Sequence, residues 1–516
     1  MSWAERVSKG RVFGAEWPSA ERAALDERRF KSLLTSGGDE RIAIEAETGR
    51  NRYGSPRGMA GDEAWFSSST ATAITPRGYD AAFQAFRSVL EGQDASAIPA
   101  WFDRLRARLL GLFGVPRAEV VLSGSGTELE LVALVVARAV LRQPLTNLVV
   151  APGETGRGVL LAASGRHFLG SAPFRDRVAC GELIDGFGDP ETLVEWVEIR
   201  DEDGTPRSPD SIDDDVIRKV EASIAGDRRV LIHLLDCSKT NRSGLRRSTA
   251  SALMARFQGQ VLVVVDSCQL RGSPEQVMAD LRAGFMVMLS GSKFAAGPPF
   301  AGALLLPSQI LQQLRHLDLP AGLLAYTAAE DWPAALRGRG TRPFAAAHNV
   351  GVGLRWEAAL AELERLFALP APFREAVAKA FADAVAAHVR DDPRLALIDE
   401  GIADGRLPGK TIWPIVTAAR DDNSMTSEAM HRALRQPRPD DRSPATSKRI
   451  FHVGQPVSIG QRSALRVCLS ASQIVDAADN MAGHRNLDTA VAPLMADVDG
   501  LFQKWMRIAD QVSRRS

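Results

Sequence analysis

Four cysteines in 516 residues, Cys180, Cys237, Cys268 and Cys468, are few and scattered, with no CxxC spacing among them. That excludes a cysteine-built zinc site and a disulfide framework, and no metal is expected. Cys237 and Cys268 each lie just past an apolar run and read as buried, inert thiols. Net charge is lacking too, because 63 Lys and Arg balance 63 Asp and Glu. No overall field recruits nucleic acid or a charged membrane surface, so a small-molecule substrate is the default. Long apolar runs are also missing. Leu129 to Leu141 and Val261 to Val265 are too short, or too interrupted by charge, to span a bilayer. The opening segment, MSWAERVSKGRVFGAEW, has no apolar core of the secretory kind, and a cytoplasmic location is expected.

What remains is ordinary globular material, 45% hydrophobic and 24% charged, long enough for two or three domains. Residues 1–76, rich in Arg, Ser and Gly, show no long amphipathic period and read as an arm, expected to contribute to the active-site region. In residues 77–345, helical periods (GYDAAFQAFRSVL, IPAWFDRLRARLLGLFG) give way to short apolar runs spaced by helices. The runs are VVL (120–122), NLVVA (147–151), RVLIHLLD (229–236), VLVVVD (261–266), FMVMLS (285–290) and AGALLLP (301–307). Near-continuous Val, Leu and Ile predicts a parallel sheet covered on both faces, hence an α/β domain. Residues 346–516 hold two helical stretches and then strand-like TIWPIVTA and SALRVCLSA, which predicts a smaller α+β domain. Within it the Pro-rich segment 436–447 reads as an exposed loop.

Ligands of an open parallel sheet bind beyond the carboxyl ends of its strands, so the residues closing each run carry the interest. After VVL comes Ser123-Gly124-Ser125-Gly126-Thr127, opening a helix. Its backbone N–H groups and hydroxyls suit a phosphate, although a plain turn and cap has the same composition. VLVVVD closes on Asp266, followed by Gln269. A carboxylate there needs a cationic partner such as a pyridinium, unless it only caps a loop. After FMVMLS comes Gly291-Ser292-Lys293, then Gly297-Pro298. Between two apolar strands, desolvation favours the neutral amine that forms an imine, and no GxxxxGK[ST] phosphate loop competes for this lysine. A surface lysine in a turn is the plainer alternative. Lys239, which ends RVLIHLLDCSKT, is the runner-up.

Taken in order, these residues resemble the fold-type I pyridoxal 5'-phosphate (PLP) enzymes, and within them the class V aminotransferase and cysteine desulfurase group. The carriers are Ser125-Gly126-Thr127, Asp266-Ser267-Cys268-Gln269, Ser290-Gly291-Ser292-Lys293 and Arg337-Gly338-Arg339-Gly340-Thr341, spanning about residues 115–345. The resemblance implies a mainly parallel seven-stranded sheet with helices on both faces, and Lys293 as the Schiff-base lysine. It implies that Ser125, Gly126 and Thr127 hold the cofactor phosphate, helped by Ser290 and Ser292. Asp266 would pair with the pyridine nitrogen and Gln269 would approach the phenolic oxygen. Thr155, Ser238 and Thr240 fall in the loops that flank the ring, and Arg466 matches the arginine that clamps the substrate carboxylate, with a structural ion pair as its alternative. Gly340 and Thr341 match a segment that reaches the neighbouring subunit's cofactor, which implies a homodimer with shared active sites.

Two departures stand out. No aromatic residue lies at Glu154-Thr155, where a ring-stacking residue is expected, although His167 lies further along. No cysteine lies between Cys268 and Cys468, so the mobile-loop thiol of a desulfurase is absent and that activity is disfavoured. The reaction expected is transamination of an amino acid. A lyase or hydrolase cleaving at Cβ in the manner of kynureninase is the alternative, followed by a non-catalytic PLP-binding relative. The arm's Thr48 to Pro56 and Trp65 to Thr70 stretches, and His452, are open between substrate contact and plain structure.

Overall fold

A computed structural model describes residues 19–90, 96–142, 144–188, 191–337, 344, 348–398, 410–417, 426–437, 449–482 and 486–513. Its strands are β1 (Glu63–Phe66), β2 (Glu119–Ser123), β3 (Leu145–Val150), β4 (Leu193–Val197), β5 (Arg229–Leu235) and β6 (Val261–Ser267). They continue with β7 (Met286–Ser290), β8 (Gly302–Leu306), β9 (Leu395–Leu397), β10 (Ile412–Thr417), β11 (Ile450–Ile459) and β12 (Arg462–Cys468).

Seven of them form a sheet in the order β2-β8-β7-β6-β5-β3-β4. Only β8 runs against its neighbours, pairing antiparallel with both β2 and β7. Neighbouring side chains along these strands go to opposite faces, yet almost all are apolar. Val120, Ile232, Val263 and Val287 enter one core cluster, while Val121, Leu231, Val264 and Met288 enter another. Both faces are covered by helices, which is why the sequence shows continuous apolar runs rather than alternation. Each such side chain contributes about 1.5–3 kcal/mol on full burial. β4 is the strand the apolar runs do not announce. It lies at the sheet edge, and Leu193 and Trp196 on it are exposed.

The second sheet has the order β1-β11-β12-β10-β9. Its first strand comes from the N-terminal arm, because β1 pairs parallel with β11, Trp65 opposite His452. The arm also holds a helix, Ser19–Leu34, whose last turn buries Phe30, Leu33 and Leu34. The helix Val350–Ala368 joins the two layers. Its first half enters the core beneath the large sheet, whereas Leu366 packs with the second sheet. Of the Pro-rich segment 436–447, residues 438–447 lie outside the described residues. Among the described residues no helix is long and apolar enough to cross a membrane, and no group of three or more His, Cys, Asp or Glu could hold a metal ion.

Candidate active site

A cavity of about 530 Å³ opens at the carboxyl ends of β2, β3, β5, β6 and β7. Its walls include Ser125, Gly126, Thr127, Thr155, Asp266, Gln269, Ser290, Ser292, Lys293 and Arg466, ten of the residues singled out by sequence. Ser238 and Thr240 are not on its walls, and Gly340 and Thr341 lie outside the described residues.

The turn after β2 is a capped helix start. Ser125 is the N-cap of the helix Gly126–Leu141, and its Oγ accepts from Glu128 N at 3.3 Å. The Glu128 carboxylate folds back over the turn, accepting from Gly124 N at 3.0 Å and from the Ser123 and Ser125 hydroxyls, each at 3.1 Å. Burial, reinforced by Asp39, pushes this carboxyl up to about 8, against the opposing pull of Arg41. Arg41 itself bonds Ser125 Oγ at 3.2 Å and Asp39 at 2.6 Å. The first four N–H groups of a helix lack intrahelical partners. Here Ser125 Oγ satisfies that of Glu128, and those of Gly126 and Thr127 have no partner among the described residues, open to a ligand. A Cβ on Gly126 would stand 2.9 Å from Cys268 Sγ, so any larger residue there would have to displace that thiol.

Asp266 ends β6 half-buried, its Oδ1 accepting from Cys268 N at 3.0 Å. Gln269 is fixed through Nε2 to the carbonyl of Ser69 at 3.0 Å, while its buried Oε1 has no partner. Lys293 sits in a tightly stitched turn after β7. Gly291 N donates to Ala301 O at 2.7 Å, Gly297 N to Gly291 O at 2.9 Å, and Ala301 N to Ser292 Oγ at 2.8 Å. The helix Val350–Ala368 presses on this turn, so that a Cβ on Gly291 would come within 2.7 Å of Ala359 Cβ. Ala296 and Phe300 hold left-handed φ of 57° and 76°, strain of the kind that gathers at functional sites. No hydrogen bond or ion pair holds the Lys293 amine among the described residues.

The loop after β5 turns its hydroxyls outward from the cavity. Thr240 Oγ1 bonds the Glu154 carboxylate, Ser238 Oγ lies 3.0 Å from Thr240 Oγ1, and Glu154 also pairs with Arg200 at 2.5 Å. The side chain that faces inward is Lys239, also without a bonded partner among the described residues. Burial pushes its ammonium down to about 7, reinforced by Arg466, Lys293 and Arg157 against the pull of Glu154.

Arg466 reaches the cavity from β12. Its Nε and Nη2 donate to Gln455 O, and Nη2 also donates to Thr70 Oγ1 at 3.0 Å. The fork is thus occupied by protein, and Nη1 is the nitrogen left unpartnered. Burial pushes this arginine down to about 10.

Arg41, Tyr53, Ser69 and Thr70 bring the arm onto the cavity wall, and Phe168 supplies an aromatic face that sequence reasoning had not placed there. His167 instead bonds the Tyr326 hydroxyl at 2.6 Å. His452 stacks on Trp65 at 3.6 Å and contacts Glu63 at 2.8 Å, fastening the arm strand rather than lining the cavity. Glu130, on the cavity wall, pairs with His233 of β5 at 2.8 Å. Cys237, Cys268 and Cys468 are buried and Cys180 is exposed; the Cys268 thiol is held well above its ordinary range by burial.

No protein-family model and no curated protein matches the chain. Solved structures do. A NifS-like protein is 13% identical over 86% of this chain and 99% of its own, with a TM-score of 0.50. A C-DES mutant with glycine covalently linked to its PLP cofactor is 12% identical over 85% and 96%, with a TM-score of 0.52. The fold is therefore that of the fold-type I PLP-dependent enzymes.

Proposed function

We propose that the protein is a PLP-dependent enzyme acting on an amino acid, with Lys293 as the cofactor's attachment point and transamination as its reaction. One observation carries this reading: a lysine amine without a bonded partner among the described residues shares a cavity with a strand-end carboxylate and a helix start whose Gly126 and Thr127 N–H groups have no partner among them either. The buried, unpartnered Gln269 Oε1 and Arg466 Nη1 further fit a polar molecule resting there.

Gly126 and Thr127 would hold the phosphate at the helix start, with Ser125, Ser290 and Ser292 supporting the turns around it. Burial, which pushes the Glu128 carboxyl up, weakens its repulsion of an anion in that cradle. Asp266, oriented by Cys268 N, would hold a proton on the pyridine nitrogen. Gln269 would stand by the phenolic oxygen, and Thr155 closes the wall beside it. Ser238 and Thr240 would act through Glu154, fixing the loop rather than touching cofactor. Bound PLP supplies an electron sink for the pair released at Cα. The Lys293 amine is the base placed to take the Cα proton and return it. Arg466 would orient the substrate carboxylate through Nη1.

The resemblance of the Arg337 to Thr341 segment to one that reaches a neighbouring cofactor supports a homodimer with shared sites, which sedimentation of the PLP-loaded protein tests.

The reaction is tested by adding a panel of amino acids to the PLP-loaded protein and analysing the products. A transaminase yields pyridoxamine 5'-phosphate and a 2-oxo acid in equal amounts. Release of a side-chain fragment without pyridoxamine 5'-phosphate would assign a lyase or hydrolase instead, and no change with any amino acid would leave a binding protein.

A further inference from the structure

Lys239 is a second amine in the same cavity as Lys293, and the reading of Lys293 as the attachment point leaves it without a task. Its position is built. The flanking Ser238 and Thr240 are tied to each other and to Glu154, Lys239 N donates to Glu154 O at 3.1 Å, and Asn241 holds the turn at a left-handed φ of 70°. The side chain is directed inward with no bonded partner among the described residues.

The groups that act on it electrostatically are Arg466 from β12, Lys293 from the turn after β7, and Arg157 and Glu154 from the loop after β3. Three are cations. The one carboxylate, Glu154, already serves Arg200 and Thr240. A sheltered ammonium among cations is costly unless an anion arrives.

The cofactor and an ordinary amino acid do not supply that anion. The phosphate has the N–H groups of Gly126 and Thr127, the α-carboxylate has Arg466 Nη1, and Lys293 is used in attachment. We propose that Lys239 receives a second, distal acidic group of the amino-acid substrate, a carboxylate or a phosphate. The inference rests on the proposed function and narrows it to acidic amino acids.

The test titrates PLP-loaded protein, followed by its visible spectrum, with three matched pairs: aspartate and asparagine, glutamate and glutamine, phosphoserine and serine. In at least one pair the acidic member should bind about tenfold tighter or more, the scale of a charge-assisted hydrogen bond. The pair that responds separates carboxylate from phosphate. Lys239→Met should reduce that preference to within about twofold and Lys239→Arg should keep most of it. A preference near one in every pair overturns the proposal, as does a preference that survives Lys239→Met. So does an altered spectrum of the amino-acid-free Lys239→Met protein with the preference intact, which would place the amine on the cofactor. Should Lys239→Met not fold, Lys239→Gln takes its place in the responding pair, and a preference that survives it overturns the proposal. An amine that loses its charge near pH 7 makes the preference fall as pH rises from 6 to 9; a flat preference overturns the proposal. A protein that takes up no PLP sinks the proposed function and this inference with it, whereas a coloured protein indifferent to the second acid sinks this inference alone.

Discussion

Arg466 Nη2 donates to Thr70 Oγ1 at 3.0 Å, joining the arm to the second sheet on the wall of the cavity. Thr70 Oγ1 also accepts from Gln455 N at 3.3 Å, so a single hydroxyl ties the backbone of β11 to the arginine of β12. Thr70→Val removes both bonds while keeping the shape. We expect a loss of about 1 kcal/mol in stability by urea unfolding, and a raised KM for the amino acid with a smaller change in kcat.

Asp266→Asn tests the carboxylate at the end of β6. The phosphate cradle is untouched by this change, so PLP uptake should persist. Loss of the charge that holds the ring nitrogen protonated should lower kcat by about 100-fold or more, measured as turnover of the responding amino acid. Undiminished turnover would remove Asp266 from the chemistry.

Glu128 makes stability depend on pH. In the unfolded chain it ionises near 4.5, whereas burial holds it protonated up to about 8 in the folded one. Between those values the folded state binds the extra proton, so the contribution is complete below the unfolded value and is lost as pH rises towards 8. The slope from one such group is at most about 1.4 kcal/mol per pH unit. Glu128→Gln should flatten the change in urea midpoint between pH 5 and pH 8, and should be the more stable protein at pH 8.

The Arg200 to Glu154 pair is buried on both sides, with side chains 8% exposed. Removing one member leaves the other charge stranded, which costs about 3–5 kcal/mol. Arg200→Met should therefore destabilise the protein on this scale in urea unfolding. It should also weaken substrate binding, because Glu154 anchors the loop that presents Lys239.

The large sheet was legible because strands covered on both faces repeat apolar residues without a break. β4 escaped because its edge position leaves Leu193 and Trp196 in solvent, erasing that signal. Lys293, Asp266 and the Gly126-Thr127 turn were readable since each closes an apolar run, and that is where such a sheet gathers its ligands. Which face of the loop after β5 points inward depends on Glu154 and its tertiary partner Arg200, 46 residues away, and no local pattern carries that. The arm's stretches at Thr48 to Pro56 and Trp65 to Thr70 were legible as candidates for the site, but how the arm is held was not: β1 is four residues long and is fixed by β11, far along the chain.

Both Lys293 and Lys239 open their amines on one cavity, and the proposed function requires that Lys293 attach the cofactor. Borohydride reduction of the PLP-loaded protein, followed by peptide mapping, tests it directly. A reduced pyridoxyl group should appear on the peptide carrying Lys293. A label on Lys239 or on another lysine, or no label on any peptide, would contradict it.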